Sequence, residues 1–242
     1  QNLGLVHQEL GNLNDAKHCF EKSLKLEPDS FYASQNLNIL LNQIKILDKI
    51  GINNKKRVFN NSIFFKKFSK LPFITHKKPK TELIELLYKI NSTELNKTKG
   101  GPLYGNGKTS DYNLLDNDNL ILKDLKKDLL NIIEKETNSK VLIIDSFFNI
   151  LGQGGGSVPH HHLNNFDKIF ELERQKFSLT YYLSVGDQNC DEPGIFKIYE
   201  PNDEVLPSNG MIMIIPSSQK HSAVYGGKKD RVMIGVNFYI YN

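Results

Sequence analysis

His221-Ser222-Ala223-Val224-Tyr225, then Gly226-Gly227-Lys228-Lys229-Asp230, then Arg231-Val232-Met233-Ile234-Gly235-Val236-Asn237-Phe238 decide the fold. The stretch reads as strand, turn, strand. β-branched and aromatic residues crowd both arms, and the Gly- and Lys-rich joint can continue neither. The second arm runs on to Tyr241, and the same grammar extends upstream. Runs with strand character lie at Val141–Leu151, Phe177–Val185, Ile195–Tyr199 and Met211–Ile215, parted by turn signals at Gly152–Gly156, Asp191–Gly194 and Pro201–Gly210. Many short strands without intervening helices predict an antiparallel sandwich, jelly roll or barrel.

Helical patterns precede the strands. Thr81 is placed to cap Glu82–Ile90, with Leu83, Leu86, Leu87 and Ile90 on one face. Asn117 or Asp118 is placed to start a second helix carrying Leu122, Leu125, Leu129, Ile132 and Ile133, and a polar, Gly-rich loop over Lys99–Asp116 joins the two. Helices first and strands last give an α+β layout.

The first thirty residues have another character. Leu3-Gly4, His7, Leu10-Gly11, Ala16, Phe20, Leu24 and Pro28 fall in a helix–turn–helix register, broken at Gly11-Asn12 and stopped at Pro28. This resembles a tetratricopeptide repeat over one 34-residue unit, with His7 in place of the usual aromatic. A further helical pattern from Phe31 to Ile50 opens a second repeat. One and a half repeats do not bury a solenoid core, so either more lie upstream of Gln1 or these helices pack on a neighbouring domain. Such helices serve scaffolding or peptide binding, which makes a peptide or protein partner the expectation.

Composition sets further bounds. The 242 residues carry a net charge of +4, yet Lys55 to Lys80 holds nine basic residues and no acid, so the remainder carries −5. Aromatics at Phe59, Phe64, Phe65, Phe68 and Phe73 interleave with these lysines. That mixture occurs in single-strand nucleic-acid sites, but aromatics anchoring a connector while lysines stay solvated is the stronger reading. The expected organisation is therefore tetratricopeptide-like helices at 1–50, a basic connector at 51–80, and the strand-rich domain with its two helices at 81–242. No apolar run approaches the ~20 residues that span a bilayer. Cys19 and Cys190 are too few for a disulfide framework or a thiolate zinc site and suit a reducing cytoplasm.

Two phosphate-loop candidates fail on spacing. Five residues separate Gly101 from Gly107-Lys108-Thr109 where four are needed, and Gly152-Gln153-Gly154-Gly155-Gly156-Ser157 does not open a helix. Pro159-His160-His161-His162 is more informative. On an extended chain residues i and i+2 point to one side, so His160 and His162 can converge on a cation while His161 faces away. His221, beside another strand, supplies a third imidazole. Neutral imidazole suits iron, zinc, copper or nickel; the bland alternative is a solvated polar turn. Arg231 opens the last strand ten residues later and is one of three arginines against 28 lysines. Its forked geometry suits a carboxylate; its bland alternative is a surface ion pair.

These pieces, in this order, resemble a known family. Pro159-His160-His161-His162 is similar to the Pro-His-x-His segment of 2-oxoglutarate- and Fe(II)-dependent oxygenases of the type joined to tetratricopeptide repeats. Phe177–Leu183 resembles the family's next strand, Gly194-Ile195-Phe196 the following one, and Pro207 through His221 its Gly-x-hydrophobic-Phe-Pro-Ser-x-x-x-His stretch. Arg231 falls where the family's cosubstrate arginine falls. The resemblance covers roughly the last 100 residues.

The resemblance implies a double-stranded β-helix, that is, a jelly-roll barrel. It implies Fe(II) held by His160, His221 and the residue at the second motif position, here His162, with no catalytic residues beyond the ligands. It implies 2-oxoglutarate and O2 as cosubstrates, the distal carboxylate of 2-oxoglutarate on Arg231 and hydrogen-bonded by Tyr182, and hydroxylation of a substrate C–H bond. The expected pocket lining includes Phe148, Tyr182, Phe196 and Ile214. The chain departs from the family at His162, where an acid is usual, and at Met233, where many relatives have Ser. Asp167 and Asp187 are alternative carboxylates. The rival reading is a non-catalytic interaction module with a structural or vestigial three-His metal site, and a cupin-like three-His metalloenzyme is a third.

Overall fold

The structure is a computed structural model that describes residues 2–52, 72–98 and 101–241. The chain divides into two compact units: Gln1–Asn60 with Leu163–Gln175 and Tyr241–Asn242, and Asn61–His162 with Lys176–Ile240.

The first unit is helical. Helices α1 (Asn2–Glu9), α2 (Leu13–Leu26) and α3 (Phe31–Ile50) follow the register expected of the repeat. Gly11 turns the chain between α1 and α2 at φ +78°, a conformation that disfavours any side chain. Gly4 matters for space rather than for backbone angle. A Cβ there would stand 2.6 Å from the Phe20 ring, so its bare face lets the two helices close. Ala16 and Phe20 are fully buried, as are Ala33 and Leu40 of α3. Leu163–Gln175, from the middle of the strand-rich half, groups with these helices and carries the short helix α6 (Asn165–Ile169).

The second unit is a jelly roll of two sheets. Its long strands are β5 (Lys140–Leu151), β6 (Gly155–His160), β7 (Lys176–Ser184), β8 (Pro193–Tyr199), β10 (Met211–Pro216), β11 (His221–Tyr225) and β12 (Arg231–Tyr241). Short strands β1 (Phe73–His76), β2 (Thr93–Glu94), β3 (Leu103–Tyr104), β4 (Gly107–Thr109) and β9 (Asn202–Val205) complete it. One sheet has seven strands in the order β1-β10-β7-β12-β5-β4-β2, and the other five in the order β3-β6-β11-β8-β9. β1 falls at the end of the expected connector; its aromatics Phe59, Phe64, Phe65 and Phe68 lie outside the described residues. β3 and β4 form within the stretch expected to be a loop, and β9 within an expected turn.

Helices α4 (Thr81–Lys89) and α5 (Leu120–Thr137) support the barrel. Leu122, Leu125, Leu129 and Ile133 recur at helical spacing and are buried, and α5 packs on β5. Its cap is Asn119, whose side chain accepts the Ile121 N–H, rather than Asn117 or Asp118. Thr81 is the first helical residue of α4, and Lys80 holds the cap position with no side-chain bond.

β12 positions the site. Val232, Ile234, Val236 and Phe238 are buried, yet Arg231 and Asn237 of the opposite parity are buried too. A strand covered on both faces reads as a nearly unbroken apolar run. Its register against β7 pairs Met233 with Tyr182, Gly235 with Thr180 and Asn237 with Ser178, and all six line one internal cavity.

Candidate metal centre

Two strand ends meet at the centre. His160 ends β6, His221 begins β11, and the two are ladder partners. His162 lies two residues beyond, held by its N–H to the Ser217 carbonyl at 2.8 Å. One ligand atom from each of the three lies within 4.8 Å of the others. Ring centroids are 4.4 Å apart for His160 and His221, 5.0 Å for His160 and His162, and 5.1 Å for His162 and His221. His161 is exposed and borders the cavity without joining the trio.

Hydrogen bonds select the tautomers. A carbonyl only accepts, so His160 Nδ1 donates to Val158 O and His221 Nδ1 to Gln219 O, each at 2.8 Å. Both Nε2 atoms then carry a lone pair. His162 Nε2 lies 3.3 Å from His221 Nε2. Anchoring the distal nitrogen of a ligand histidine is the usual outer-shell device. Burial and neighbouring imidazoles hold the ring pKa values down, to about 2 for His162 and about 4 for His221, and below the ordinary value for His160. The set is therefore neutral at pH 7, the form that binds metal. Phe196 stacks on His221 at 4.9 Å and shields it.

The trio opens on a cavity of about 230 Å3. Arg231 lines the same cavity, 1% exposed. Its Nη1 donates to Gly194 O and its Nη2 to Pro193 O at 2.6 Å each, and Nε donates to Val185 O at 3.4 Å. Its guanidinium lies 4.6 Å from the Tyr225 ring centroid and 5.9 Å from that of Tyr182. No carboxylate among the described residues pairs with it. A guanidinium has five N–H donors, so two remain. Gly194 makes the placement possible: at φ +78° it has no Cβ, and a Cβ there would fall on the guanidinium. Tyr182 is buried in the same wall with its hydroxyl pKa raised by desolvation, and its hydroxyl makes no hydrogen bond among the described residues. Tyr181 points the other way, donating to Lys77 O at 2.9 Å.

Two lining residues differ from expectation. Phe147 and Ile215 face the cavity, whereas Phe148 and Ile214 are buried on the opposite strand faces. The parity of each strand is one residue off from that expected, because both faces are apolar and hydrophobicity alone does not set it. Neither alternative carboxylate joins the trio: Asp167 accepts the Asn164 N–H in a helix-capping box, and Asp187 accepts the Asn189 N–H. Sequence reasoning missed Gly194, and it missed a buried chain of hydrogen bonds through Ser217, Ser178, Asn237 and Asp145. The signal for the latter was polar residues punctuating otherwise apolar strands.

The tetratricopeptide repeat model matches residues 1–30. No curated protein matches the chain by sequence. Among solved structures, the chain is similar to the viral collagen prolyl hydroxylase vCPH from Paramecium Bursaria Chlorella virus-1 in its 2OG complex, with TM-score 0.51, 11% identity, and 70% of this chain and 97% of that one covered. It is similar to a Pseudomonas putida prolyl-4-hydroxylase, with TM-score 0.50, 13% identity, and 74% and 95% covered. It is also similar to HygX from Streptomyces hygroscopicus with nickel and 2-oxoglutarate bound, with TM-score 0.52, 10% identity, and 76% and 87% covered. At these identities the likeness is one of fold: the second unit has the jelly roll that these 2-oxoglutarate-binding proteins and hydroxylases share. Among the described residues, no helix is long and apolar enough to cross a membrane.

Proposed function

We propose that the chain is an Fe(II)- and 2-oxoglutarate-dependent oxygenase. The observation that carries the reading is Arg231, a buried cation without a carboxylate partner among the described residues, in one cavity with three convergent imidazoles. Burying an unpaired charge costs several kcal/mol, and an anionic ligand would offset that cost. A dicarboxylate fits the arrangement, with one end on the two free N–H groups of Arg231 and the Tyr182 hydroxyl and the other toward the histidines.

The three residues that would hold iron are His160, His162 and His221, each offering a neutral nitrogen. When bound, the iron would supply oxygen chemistry in which one atom of O2 enters a substrate C–H bond and the other the succinate formed as 2-oxoglutarate loses CO2. The protein's own share is placement and exclusion. Anchored Nδ1–H groups fix two ligand rings, Arg231 and Tyr182 orient the cosubstrate, and Phe147, Phe196, Ile215 and Met233 keep the cavity apolar. A neutral ligand set carries one negative charge fewer than the two-His, one-carboxylate set, so the anionic cosubstrate contributes more to metal retention. A peptide or protein substrate is the reading the repeat helices favour, and the compartment proposed is the cytoplasm.

The test is O2-dependent formation of succinate from 2-oxoglutarate, lost in His160→Ala and in His221→Ala. Turnover retained in either variant would overturn the assignment. A second reading, a binding module with a structural metal, takes support from the three backbone carbonyls that Arg231 already serves; it requires metal binding without cosubstrate binding.

A further inference from the structure

We propose that a buried chain of hydrogen bonds within the jelly roll, Ser217 to Ser178 to Asn237 to Asp145, positions His162 for metal binding, with Ser178 and Asn237 as positioning residues. The inference rests on the reading of His162 as a ligand. His160 and His221 are ladder partners, and a carbonyl anchors each ring at Nδ1. His162 has neither support. It lies beyond the end of β6, and its Nε2 faces His221 Nε2 at 3.3 Å rather than a carbonyl. Its backbone N–H is what ties it down, donating to Ser217 O at 2.8 Å.

Ser217 directly follows β10 and is fully buried, with its own N–H donating to Lys176 O at 3.0 Å. From its hydroxyl the chain crosses β7, β12 and β5, which are neighbours in that order. Ser217 and Ser178 hydroxyls lie 2.9 Å apart, Ser178 donates to Asn237 Oδ1 at 2.6 Å, and Asn237 Nδ2 donates to Asp145 Oδ1 at 2.7 Å. Asp145 sets the direction. A carboxylate only accepts, so the amide turns Nδ2 to Asp145 and Oδ1 to Ser178. Ser178 uses its one proton on Oδ1, and the Ser217 hydroxyl is therefore the donor to Ser178.

Ser178 and Asn237 are buried, so breaking one link leaves a donor or acceptor unpaired away from water. The chain consequently holds as a unit. It pins the Ser217 side chain from one direction while the Lys176 carbonyl pins its N–H from another, and together they aim the Ser217 carbonyl at His162. With a link removed, that carbonyl can turn and His162 moves with it. The ladder-held pair, His160 and His221, keeps its place.

The test is titration of the full chain with Co(II), read by its visible d–d absorption, in wild type, Ser178→Ala and Asn237→Leu, with circular dichroism confirming the sheet. Both variants are expected to weaken Co(II) binding about tenfold, the scale of outer-shell losses, and to change the d–d band shape. Asp145→Asn, whose side-chain oxygen still accepts from Asn237, should keep the wild-type affinity and band. In a His162→Ala background Ser178→Ala should cost nothing further, because the two act as one unit. Ser178→Ala removes a single oxygen and decides alone if Asn237→Leu does not fold. Unchanged affinity and band in Ser178→Ala, or an undiminished loss when it is added to His162→Ala, would overturn the positioning role. A wild-type chain that takes no Co(II) would overturn the metal centre and the positioning role with it, so the two failures are distinguishable.

Discussion

Replacing Arg231 by Met separates a cosubstrate clamp from a structural cation. Met keeps a long apolar stem and removes the charge. In the ligand-free protein two effects oppose. The carbonyls of Val185 and Gly194 lose their guanidinium donors, while that of Pro193 keeps the Gln188 Nε2 donor at 3.5 Å, at about 1–3 kcal/mol for each acceptor left buried and unpaired. Against that, the desolvation of an unpaired buried charge, several kcal/mol, disappears. The two largely cancel, and the unfolding free energy should change by no more than about 2 kcal/mol. Binding should respond very differently. Removing one partner of a buried, hydrogen-bonded charge pair costs about 3–5 kcal/mol, or roughly 10²–10⁴-fold in the dissociation constant. The assay is urea unfolding of metal-loaded protein with and without 2-oxoglutarate. Wild type should gain about 2.7 kcal/mol at a ligand concentration 100 times its dissociation constant, and Arg231→Met at that concentration almost nothing. A variant destabilised by more than about 4 kcal/mol that still gains the full ligand increment would refute the reasoning and make Arg231 a structural residue.

Gly194→Ala places a Cβ where the guanidinium lies and at φ +78°; calorimetry should find 2-oxoglutarate affinity reduced at least tenfold, on the scale of losing a charge-assisted bond, with Co(II) affinity kept. His161→Ala should leave Co(II) affinity unchanged, since this exposed ring lies outside the trio; a loss would mean the ligands are assigned wrongly. The metal-free protein should lose stability on acidification. His162 and His221 have folded-state pKa values held well below the ordinary 6.5, so their contribution is complete above 6.5 and declines as pH falls toward the folded values, because only the unfolded chain takes up protons there. By pH 5 that amounts to about 2 kcal/mol for each ring, measurable as a fall in the urea midpoint from pH 7 to pH 5 that shrinks in His162→Ala.

Much of the fold, and the convergence of the three histidines, was legible in the sequence, for a definite reason. Turn chemistry and β-branched runs mark the major strands, and the Gly11–Asn12 break with buried Ala16 and Phe20 marks the repeat. The i, i+2 spacing of His160 and His162 placed two imidazoles on one side, and the distant His221 joined them because β6 and β11 are ladder partners. What was not legible has a common cause. Phe147 and Phe148, like Ile214 and Ile215, are neighbours of similar hydrophobicity on strands buried on both faces, so parity has no polar marker. Gly194 reads as an ordinary turn glycine until the Arg231 guanidinium is found in the space its side chain would need. The grouping of Leu163–Gln175 with the repeat depends on packing far along the chain, which no local pattern encodes.

The central claim is that one cavity takes a metal and a dicarboxylate together. Its most direct test is anaerobic addition of Fe(II) to metal-stripped protein, then of 2-oxoglutarate, followed by visible absorption. A weak charge-transfer band that requires both components and is lost in Arg231→Ala is the expected result. Iron binding with no such band at saturating 2-oxoglutarate would contradict the claim.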